Sequence, residues 1–561
     1  MVAMATAMAC AGPAGAAPPD DKDFSAAVSA LVAAAKKDQQ KSAVTTLTKS
    51  LVSASEVARR IDKMIGKKWN DANVKPTNPV SDAEFVRRAY LDITGKIPPA
   101  MVARKFIADT YGDKREKLVK KLLNSPNYVR HFTNVWRARL LPETEADFQL
   151  RYVSVEFDAW MRKKLLNNEK YDQIVRQIIT VPLRGRGTGA YAFYDGRGDP
   201  KPTAFYSAKE IKPENLGAAT ARVFLGLRVD CAQCHDPPFA SWKQENFWSY
   251  AAFFSGIRSR TGGAGVVQNL TEFFGFKKGE KRTVSIMIPD KNKSVNAAFL
   301  DGSTPTADSL SNPRKALADW ITKKDNPYFT RAAVNRMWHH FFGMGIVDPV
   351  DDLGGTNEPS HPKVLNYLSS EFAAHEFDLK FLIQTITSTR AYQLSSKMTH
   401  PSQTDRRVFA RMTPKAMTAD QLYDSLAAAA GTPNDNPSEN IFVDTNLGSR
   451  RGQFRQMFAQ SGDNPADRET SVMQALMIMN GNNVARATNL RNSQTLYAVA
   501  RMPLMTPKDR IDSLYLAALS RYPTKSERKK MLAYVKKGGV RKSRREAFWV
   551  LLNSSEFMLN H

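Results

Sequence analysis

The stretch ENLGAATARVFLGLRVDCAQCH (residues 214–235) indicates a helical fold. Pro213 stands near the start of a helix whose apolar residues recur on one face: Leu216, Ala219, Val223, Phe224 and Leu227. This face leads into the motif Cys231-Ala232-Gln233-Cys234-His235. The pattern therefore predicts an amphipathic helix that ends at a C-x-x-C-H motif.

This motif is the attachment signature of c-type haem. The thiols of Cys231 and Cys234, three positions apart, can each add to one vinyl group of the same haem. The adjacent His235 can then reach the iron as an axial ligand. The chain has only three cysteines, and the third is Cys10. We expect Cys231, Cys234 and His235 to bind one covalent haem c, with His235 as the metal ligand.

Other interpretations of the two cysteines stay open. A structural zinc site would need two more ligands at matched spacing, and the sequence has no second C-x-x-C. A redox-active pair is possible, because the C-x-x-C arrangement lowers a thiol pKa. A plain disulfide also fits the spacing. A thioredoxin-type pair, however, normally follows a strand, whereas the approach here is helical. Two inert thiols are the remaining interpretation.

Aromatic residues crowd the segment after the motif: Phe239, Trp242, Phe247, Trp248, Tyr250, Phe253 and Phe254. Phe247, Tyr250, Ala251 and Phe254 have the spacing i, i+3, i+4 and i+7, so they line one face of a helix. A porphyrin is large, flat and apolar and needs such a wall. The same face also fits an ordinary hydrophobic core, and the sequence leaves both interpretations open.

Composition limits the class of protein. A chain of 561 residues is too long for one ordinary core, and 42% hydrophobic residues indicate a globular protein. No segment approaches the ~18 consecutive apolar residues of a membrane helix, so we expect no transmembrane segment. The net charge of +26 can serve a nucleic acid, an acidic polysaccharide, an anionic lipid or an acidic redox partner protein. The basic residues are spread along the whole chain, however, so we favour solvated helix faces as their explanation, and the charge alone identifies no partner. No recognised nucleic-acid motif accompanies it, so we expect no nucleic-acid partner.

We predict a mainly α fold with two helical domains, minor short β elements and long loops. Helix starts are indicated by Ser81 with Glu84 and by three similar pairs, Thr418-x-x-Gln421, Thr506-x-x-Asp509 and Thr524-x-x-Glu527. Alternating Val284, Ile286 and Ile288 predict a short strand. The predicted segments are 1–22, a signal or lipoprotein remnant; 23–53, an N-terminal helix and linker; 54–275, a helical domain with C-x-x-C-H; 276–312, a linker with a short strand; and 313–561, a C-terminal helical domain.

The N-terminal residues resemble the end of a secretory signal, but they lack a positive n-region and a long apolar core. Residues 1–19 are rich in Ala, Met and Gly, with small residues at a plausible cleavage point around Ala14–Ala17. Ala-Met-Ala-Cys10 is similar to a lipoprotein cleavage box, although Met8 fits it poorly. Covalent haem c attachment takes place outside the cytoplasm. We therefore expect a periplasmic, cell-envelope or extracellular protein.

A second axial ligand for the iron would usually be Met or His, and the candidates are His340, His361, Met287 and Met344. An open sixth position would instead allow small-molecule binding or peroxidase-like chemistry. The loop Asp348-Pro349-Val350-Asp351-Asp352, with Asn357, Glu358 and His361 after it, is rich in oxygen atoms. Such carboxylates can hold Ca²⁺ or serve as acid and base. Their spacing fits no EF-hand, and we favour turn formation and helix capping.

Several segments together resemble a known two-domain family. They are DAEFVRRAYLDITGKIPP (82–99), ENLGAATARVFLGLRVDCAQCHDPPFASWKQENFWSYAAFF (214–254), NPYFTRAAVNRMWHHFFGMGIVDPVDDLGGTNEPSHP (326–362), TSTRAYQLSS (387–396), RMTPKAMTADQLYDSL (411–426), LYLAALSRYPT (514–524) and LLNSSEFMLNH (551–561). The chain resembles, over residues 54–561, a family of unknown function common in Planctomycetes and Verrucomicrobia. In that family a planctomycete cytochrome-like (PSCyt) domain precedes a PSD domain.

The resemblance implies an exported protein whose Cys231, Cys234 and His235 match the family's cytochrome-like signature. It implies no particular reaction. The family commonly continues His-Asp-His-Pro, whereas Pro237 replaces the second histidine here.

Three hypotheses follow. The first is an exported c-type cytochrome-like protein that transfers electrons to or from a redox partner protein. The second is a non-haem binding or scaffold protein of the cell envelope, which recognises an acidic polysaccharide or a protein partner and has a Cys231–Cys234 disulfide. The third is a haem-dependent enzyme that oxidises polysaccharide, so enzymatic activity stays open.

Overall fold

The computed structural model describes residues 51–145, 148–183, 199–236, 242–259, 270–274, 282–289, 291–354, 357–432, 450–458, 481–537 and 540–561. The predicted signal segment, nearly all of the predicted N-terminal helix and linker, and Cys10 therefore lie outside the described residues. Pro237 and Phe239 also lie outside them. None of the described helices is long and apolar enough to cross a membrane.

Helices dominate the first half of the described chain. They are α1 (Ala54–Asp71), α2 (Asp82–Thr94), α3 (Ala100–Ala108), α4 (Lys114–Leu123), α5 (Pro126–Leu140), α6 (Phe148–Leu166), α7 (Tyr171–Ile179), α8 (Ala204–Ala208), α9 (Pro213–Thr220) and α10 (Gln244–Ala251). Short 3₁₀ turns follow α5 and α10, at Pro142–Glu145 and Ala252–Phe254, and a third spans Asp230–Gln233.

The second half is also helical. Its helices are α11 (Pro313–Ile321), α12 (Phe329–Phe342), α13 (Pro362–Ala374), α14 (Leu379–Ser388), α15 (Ala419–Ala430), α16 (Arg450–Phe458), α17 (Asn482–Ala487), α18 (Gln494–Arg501), α19 (Pro507–Leu519), α20 (Lys525–Lys537), α21 (Val540–Leu552) and α22 (Ser555–Met558). The prediction of a mainly α fold with minor β elements is confirmed.

Three antiparallel sheets of two strands each complete the described structure. The pairs are β1 (Ile257–Ser259) with β2 (Leu270–Glu272), β3 (Ser285–Ile288) with β4 (Lys293–Asn296), and β5 (Lys415–Ala416) with β6 (Leu559–Asn560). The predicted strand is confirmed as β3, where Ile286 pairs with Val295. Ile288 is buried and Met287 points outward, as the alternation of side chains in a strand requires.

The predicted helix starts are confirmed by their capping contacts. The Ser81 hydroxyl accepts a hydrogen bond from the backbone N–H of Glu84, and α2 ends at Gly95 in the left-handed conformation. Thr418 and Thr506 each form a reciprocal capping box with the residue three positions on. The same exchange joins Thr524 and Glu527. These contacts satisfy backbone N–H groups that a helix leaves unpaired at its start.

The hydrophobic core joins residues from both halves of the sequence. Tyr171 of α7 stacks on Phe329 of α12 with ring centroids 5.3 Å apart. Trp69 of α1 donates from Nε1 to the carbonyl of Val408 at 2.7 Å. Residues 51–561 form one compact unit. The boundaries near residues 275 and 313 stay a prediction.

The predicted helical approach to the C-x-x-C-H motif is confirmed. Helix α9 continues as a π-helical turn over Ala221–Leu225, and the left-handed Gly226 ends it with φ +66°. A Cβ atom at position 226 would stand 2.7 Å from Leu353 Cδ1, so both the backbone angle and the space require glycine. The chain then turns toward the motif at residue 231.

Candidate functional site

The C-x-x-C-H motif lies on a single tight turn. Asp230–Gln233 form a 3₁₀ turn, and Cys234 follows in the right-handed helical region. Cys231 lies within this turn, and Cys234 directly follows it three positions further on. Both thiols are free and exposed, whereas Ala232 between them is fully buried. The buried alanine fixes the turn to the core and directs both cysteines outward.

Helix α10 holds the backbone of this turn in place. The Gln244 amide donates to the carbonyls of Gln233 at 3.2 Å and Cys234 at 3.1 Å. Trp248, one helical turn further on, donates from Nε1 to the same Gln233 carbonyl at 3.0 Å. The N–H of Gln244 donates to the Asp236 carboxylate at 2.7 Å. Hydrogen bonds therefore fasten the motif on both sides of Cys234.

Charged side chains connect the motif to the oxygen-rich loop of the second half. Arg222 forms an ion pair with Asp230, the first residue of the 3₁₀ turn. Arg222 Nε also lies 3.7 Å from the Asp351 carboxylate, and Arg228 Nη2 lies 2.9 Å from it. The two arginines are about half exposed, so each pair contributes little by itself. Together they position the loop beside the turn.

The same loop touches the helix that leads to the motif. The N–H of Leu353 donates to the Gly226 carbonyl at 2.8 Å. Asp352 accepts a hydrogen bond from the Asn357 side chain, while Asp351 faces the two arginines. These contacts support the interpretation of the loop as a structural turn. Among the described residues, no group of three or more His, Cys, Asp or Glu is arranged to hold a metal ion.

The aromatic helix after the motif belongs to the core. Phe253 stacks on Phe299 at 5.0 Å, and Phe299 stacks on Trp320 at 5.1 Å. The Tyr250 hydroxyl lies 3.3 Å from Thr220 Oγ1 in a fully buried contact. Of the two interpretations of this face, the structure shows the core, because neighbouring protein side chains already fill it. Among the described aromatic residues of this segment, Trp248 contacts the motif through its hydrogen bond to the Gln233 carbonyl.

The two histidines considered as sixth ligands are buried or partly buried, unlike the exposed cysteines and histidine of the C-x-x-C-H motif. His361 is buried against Phe409, and burial together with the charges of Lys68 and Arg407 lowers its pKa to about 3. His340 Nε2 lies 2.9 Å from the Asp92 carbonyl, and burial lowers its pKa well below the usual value.

The two candidate methionines differ in exposure. Met287 is 54% exposed on β3, whose hairpin packs against α10, and Met344 is half-buried against the core. The hydrogen bonds and ring contacts described for the four candidates include no residue of the motif. The sixth ligand therefore stays open.

A buried polar network, which the sequence pattern gave no reason to expect, surrounds Asp92 on α2. Its carboxylate accepts from Lys415 Nζ at 2.6 Å, from Asn560 Nδ2 at 2.7 Å and from the Tyr392 hydroxyl at 2.8 Å. Lys415 also donates to the backbone carbonyls of His340 and Phe341. The network joins α2 to both strands of the β5–β6 sheet.

Gln244 and Trp248 support the motif as well, although neither was predicted from the sequence. Their i, i+4 spacing on one helix face was the available signal, but it became meaningful only once α10 was placed beside the turn. Asp351 was identified in the sequence as a candidate ligand or acid. In the structure it faces Arg222 and Arg228.

The motif offers the attachment atoms of a covalent haem, whereas the aromatic face of α10 offers no wall for one. Two exposed thiols, with His235 exposed next to them, are the groups that would form two thioether bonds and one axial ligand. The aromatic face of α10 cannot cover a porphyrin, since it is buried in the core. A haem on this turn would therefore lie outside α10.

Fold and site together define a mainly α-helical protein with an exposed C-x-x-C-H turn fastened by a helix and a loop from different parts of the chain. Comparison with protein families gives the class a name. The family PSCyt2, described as "Protein of unknown function (DUF1549)", matches residues 60–259. The family PSD1, "Protein of unknown function (DUF1553)", matches residues 313–453.

The chain therefore belongs to the two-domain family in which a PSCyt2 domain precedes a PSD1 domain, as its sequence segments predicted. Comparisons with the curated proteins and with the solved structures find no match.

Proposed function

We propose that this protein is an exported c-type cytochrome-like protein, with one covalent haem on Cys231 and Cys234 and with His235 as axial ligand. The observation that carries the proposal is that both thiols are free and exposed, three positions apart, on a segment whose backbone α10 holds by hydrogen bonds. Free cysteines are among the most frequently buried residue types, so two exposed thiols flanking a buried alanine favour a chemical role over inert packing.

In this proposal the side chains around the turn have positioning roles. Gln244 and Trp248 hold the carbonyls of the turn, and Arg222 with Asp230 fixes its first residue. When bound, a haem would supply one-electron redox chemistry, so electron transfer with a redox partner protein is the function proposed. Export belongs to the proposal, because haem c is attached outside the cytoplasm.

Expression of the full chain with a c-type maturation system tests the proposal directly. The purified protein is denatured, washed with acidic acetone to remove loose haem, and examined as the pyridine haemochrome. We expect a covalent c-type spectrum with one haem per chain. Cys231→Ala/Cys234→Ala should abolish it, and Cys10→Ala, which removes the only other cysteine, should preserve it.

Absence of the covalent signal in the wild-type chain, with a control cytochrome matured in the same cells, would refute the proposal. Thiol titration of that same haem-free protein then addresses the second hypothesis. Two thiols that appear only after reduction, and that disappear in Cys231→Ala/Cys234→Ala, would identify a disulfide and a non-haem scaffold. If haem is attached, an open sixth position would favour the enzymatic hypothesis over simple electron transfer.

A further inference from the structure

An apolar loop projects from the C-terminal helices. It joins α18 to α19, and its Met502 and Leu504 are 55% and 101% exposed. Leu504 has φ +69°, a left-handed conformation that a branched side chain rarely adopts. Arg510 donates to the carbonyl of Met502 at 2.9 Å and holds the loop in this form. The protein therefore maintains a strained backbone that presents leucine fully to the surroundings.

This loop lies in the most basic region of the chain. Residues 481–561 contain 16 Lys and Arg against 5 Asp and Glu. Most of the acidic side chains are already occupied. Asp512 pairs with Arg528 at 2.9 Å, and Arg521 binds both Glu527 and Glu556. The unpaired charge that this region presents to its surroundings is thus almost entirely positive.

The helix order brings part of that positive charge to the apolar loop. Short connections make α19, α20 and α21 antiparallel neighbours, so α19 starts, α20 ends and α21 starts at the same end as the loop. Helix α18, which leads into the loop, packs against both α19 and α21. We call this surface the basic end. Besides the loop, it includes the exposed cations Arg501, Lys508, Lys536, Lys537, Lys542 and Arg545.

We infer that the basic end binds the surface of an anionic phospholipid bilayer, with Leu504 and Met502 at the acyl boundary and the surrounding cations against lipid phosphates. Peripheral membrane proteins combine these two features, a buried apolar tip and electrostatic attraction to anionic headgroups. An acidic polysaccharide or a nucleic acid would use the cations but would leave the strained apolar tip in water. The inference does not depend on haem attachment.

Co-sedimentation of the full chain with lipid vesicles tests this inference. Vesicles of phosphatidylglycerol and phosphatidylcholine in equal parts are compared with phosphatidylcholine alone, at low and high salt. We expect binding only to the anionic vesicles, weakened by salt. Leu504→Ser should lower the partition coefficient roughly ten-fold, and Lys536→Glu/Lys537→Glu at least about thirty-fold.

Matched variants elsewhere on the surface serve as controls. Met398→Ser replaces a methionine that is also 55% exposed, and Lys323→Glu/Lys324→Glu reverses another exposed lysine pair. Both should bind vesicles within about two-fold of the wild-type chain, and thermal melting should show all variants folded.

Equal binding to neutral and anionic vesicles would overturn the inference, as would binding that Leu504→Ser leaves unchanged. Retention on dextran sulfate without vesicle binding would overturn it in favour of an acidic polysaccharide.

Discussion

Replacing Lys415 by methionine should destabilise the protein strongly. Lys415 and Asp92 are only 5% and 2% exposed, and their ion pair of 2.6 Å lies inside the network that joins α2 to the β5–β6 sheet. Methionine fills similar space but leaves the Asp92 carboxylate buried without its cation. Removing one partner of a buried pair costs about 3–5 kcal/mol of unfolding free energy. Much of that cost is the uncompensated charge rather than the lost contact.

A double-mutant cycle measured by urea denaturation and circular dichroism isolates this effect. Asp92→Asn/Lys415→Met buries no charge, and its asparagine can still accept from Asn560 or Tyr392. We expect it to be more stable than Lys415→Met by about 2 kcal/mol. Lys67→Met, which breaks an exposed pair with Asp71, should change stability by about 0.5 kcal/mol or less. A loss of stability in Lys415→Met no larger than in Lys67→Met would refute the role of the buried charge, as would a double variant that is the least stable of all.

Two further predictions concern α2 and its neighbour His131. Gly95→Ala should lower the unfolding free energy by about 2 kcal/mol or more, because φ is +72° and the new Cβ would stand 2.5 Å from His131 Nδ1. Gly66→Ala, in the open middle of α1, should instead raise the unfolding free energy by about 0.5–1 kcal/mol. Thermal melting that shows the same change for Gly95→Ala and Gly66→Ala would contradict this prediction.

Burial, with the charge of Arg130, lowers the pKa of His131 in the folded protein to about 4. In the unfolded chain the pKa of this histidine is near 6.5, so the unfolded chain takes up the proton first as pH falls. The unfolding free energy should therefore decrease as pH falls from about 6.5 to 4, and His131 should account for a loss of about 2 kcal/mol at pH 5. The variant His131→Gln should show a flatter dependence of unfolding free energy on pH. An unchanged profile would contradict the assignment.

Local signals in the sequence predicted the helices well. Ser81 with Glu84, and Thr506 with Asp509, are contacts within one turn, so the residues that start a helix lie next to each other in the sequence. The alternation that indicated β3 is equally local. Such patterns depend on the backbone of a few residues, and the tertiary fold did not override them.

Contacts between distant residues could not be predicted in the same way. Asp92 and Asn560 are separated by most of the chain, and neither residue carries a motif that indicates the other. The aromatic face of α10 illustrates a different limit. Its spacing correctly indicated a buried face, but periodicity cannot say whether a cofactor or Phe299 and Trp320 will cover it. Only the placement of β4 and α11 around it decides between the two.

Several of the segments that carry the family resemblance contribute residues to one buried hydrogen-bond network. Asp92, His340, Tyr392, Lys415 and Asn560 each come from a different one of the quoted segments, and all take part in one buried network. Because one buried carboxylate needs several donors at once, a change in any of these segments leaves a polar group unsatisfied in the others. The network therefore joins five of the seven quoted segments in one buried cluster.

The C-x-x-C-H turn depends on the same kind of long-range support. A 3₁₀ turn of four residues has poor hydrogen-bond geometry and cannot hold its shape alone. Gln244 and Trp248 fasten it from α10, and Asp351 reaches it from the other half of the chain through Arg222. A fold that used Cys231 and Cys234 only for packing would gain nothing from holding their backbone while leaving both thiols outside. The proposal of covalent haem attachment rests on this combination of a fixed backbone and exposed sulfur atoms.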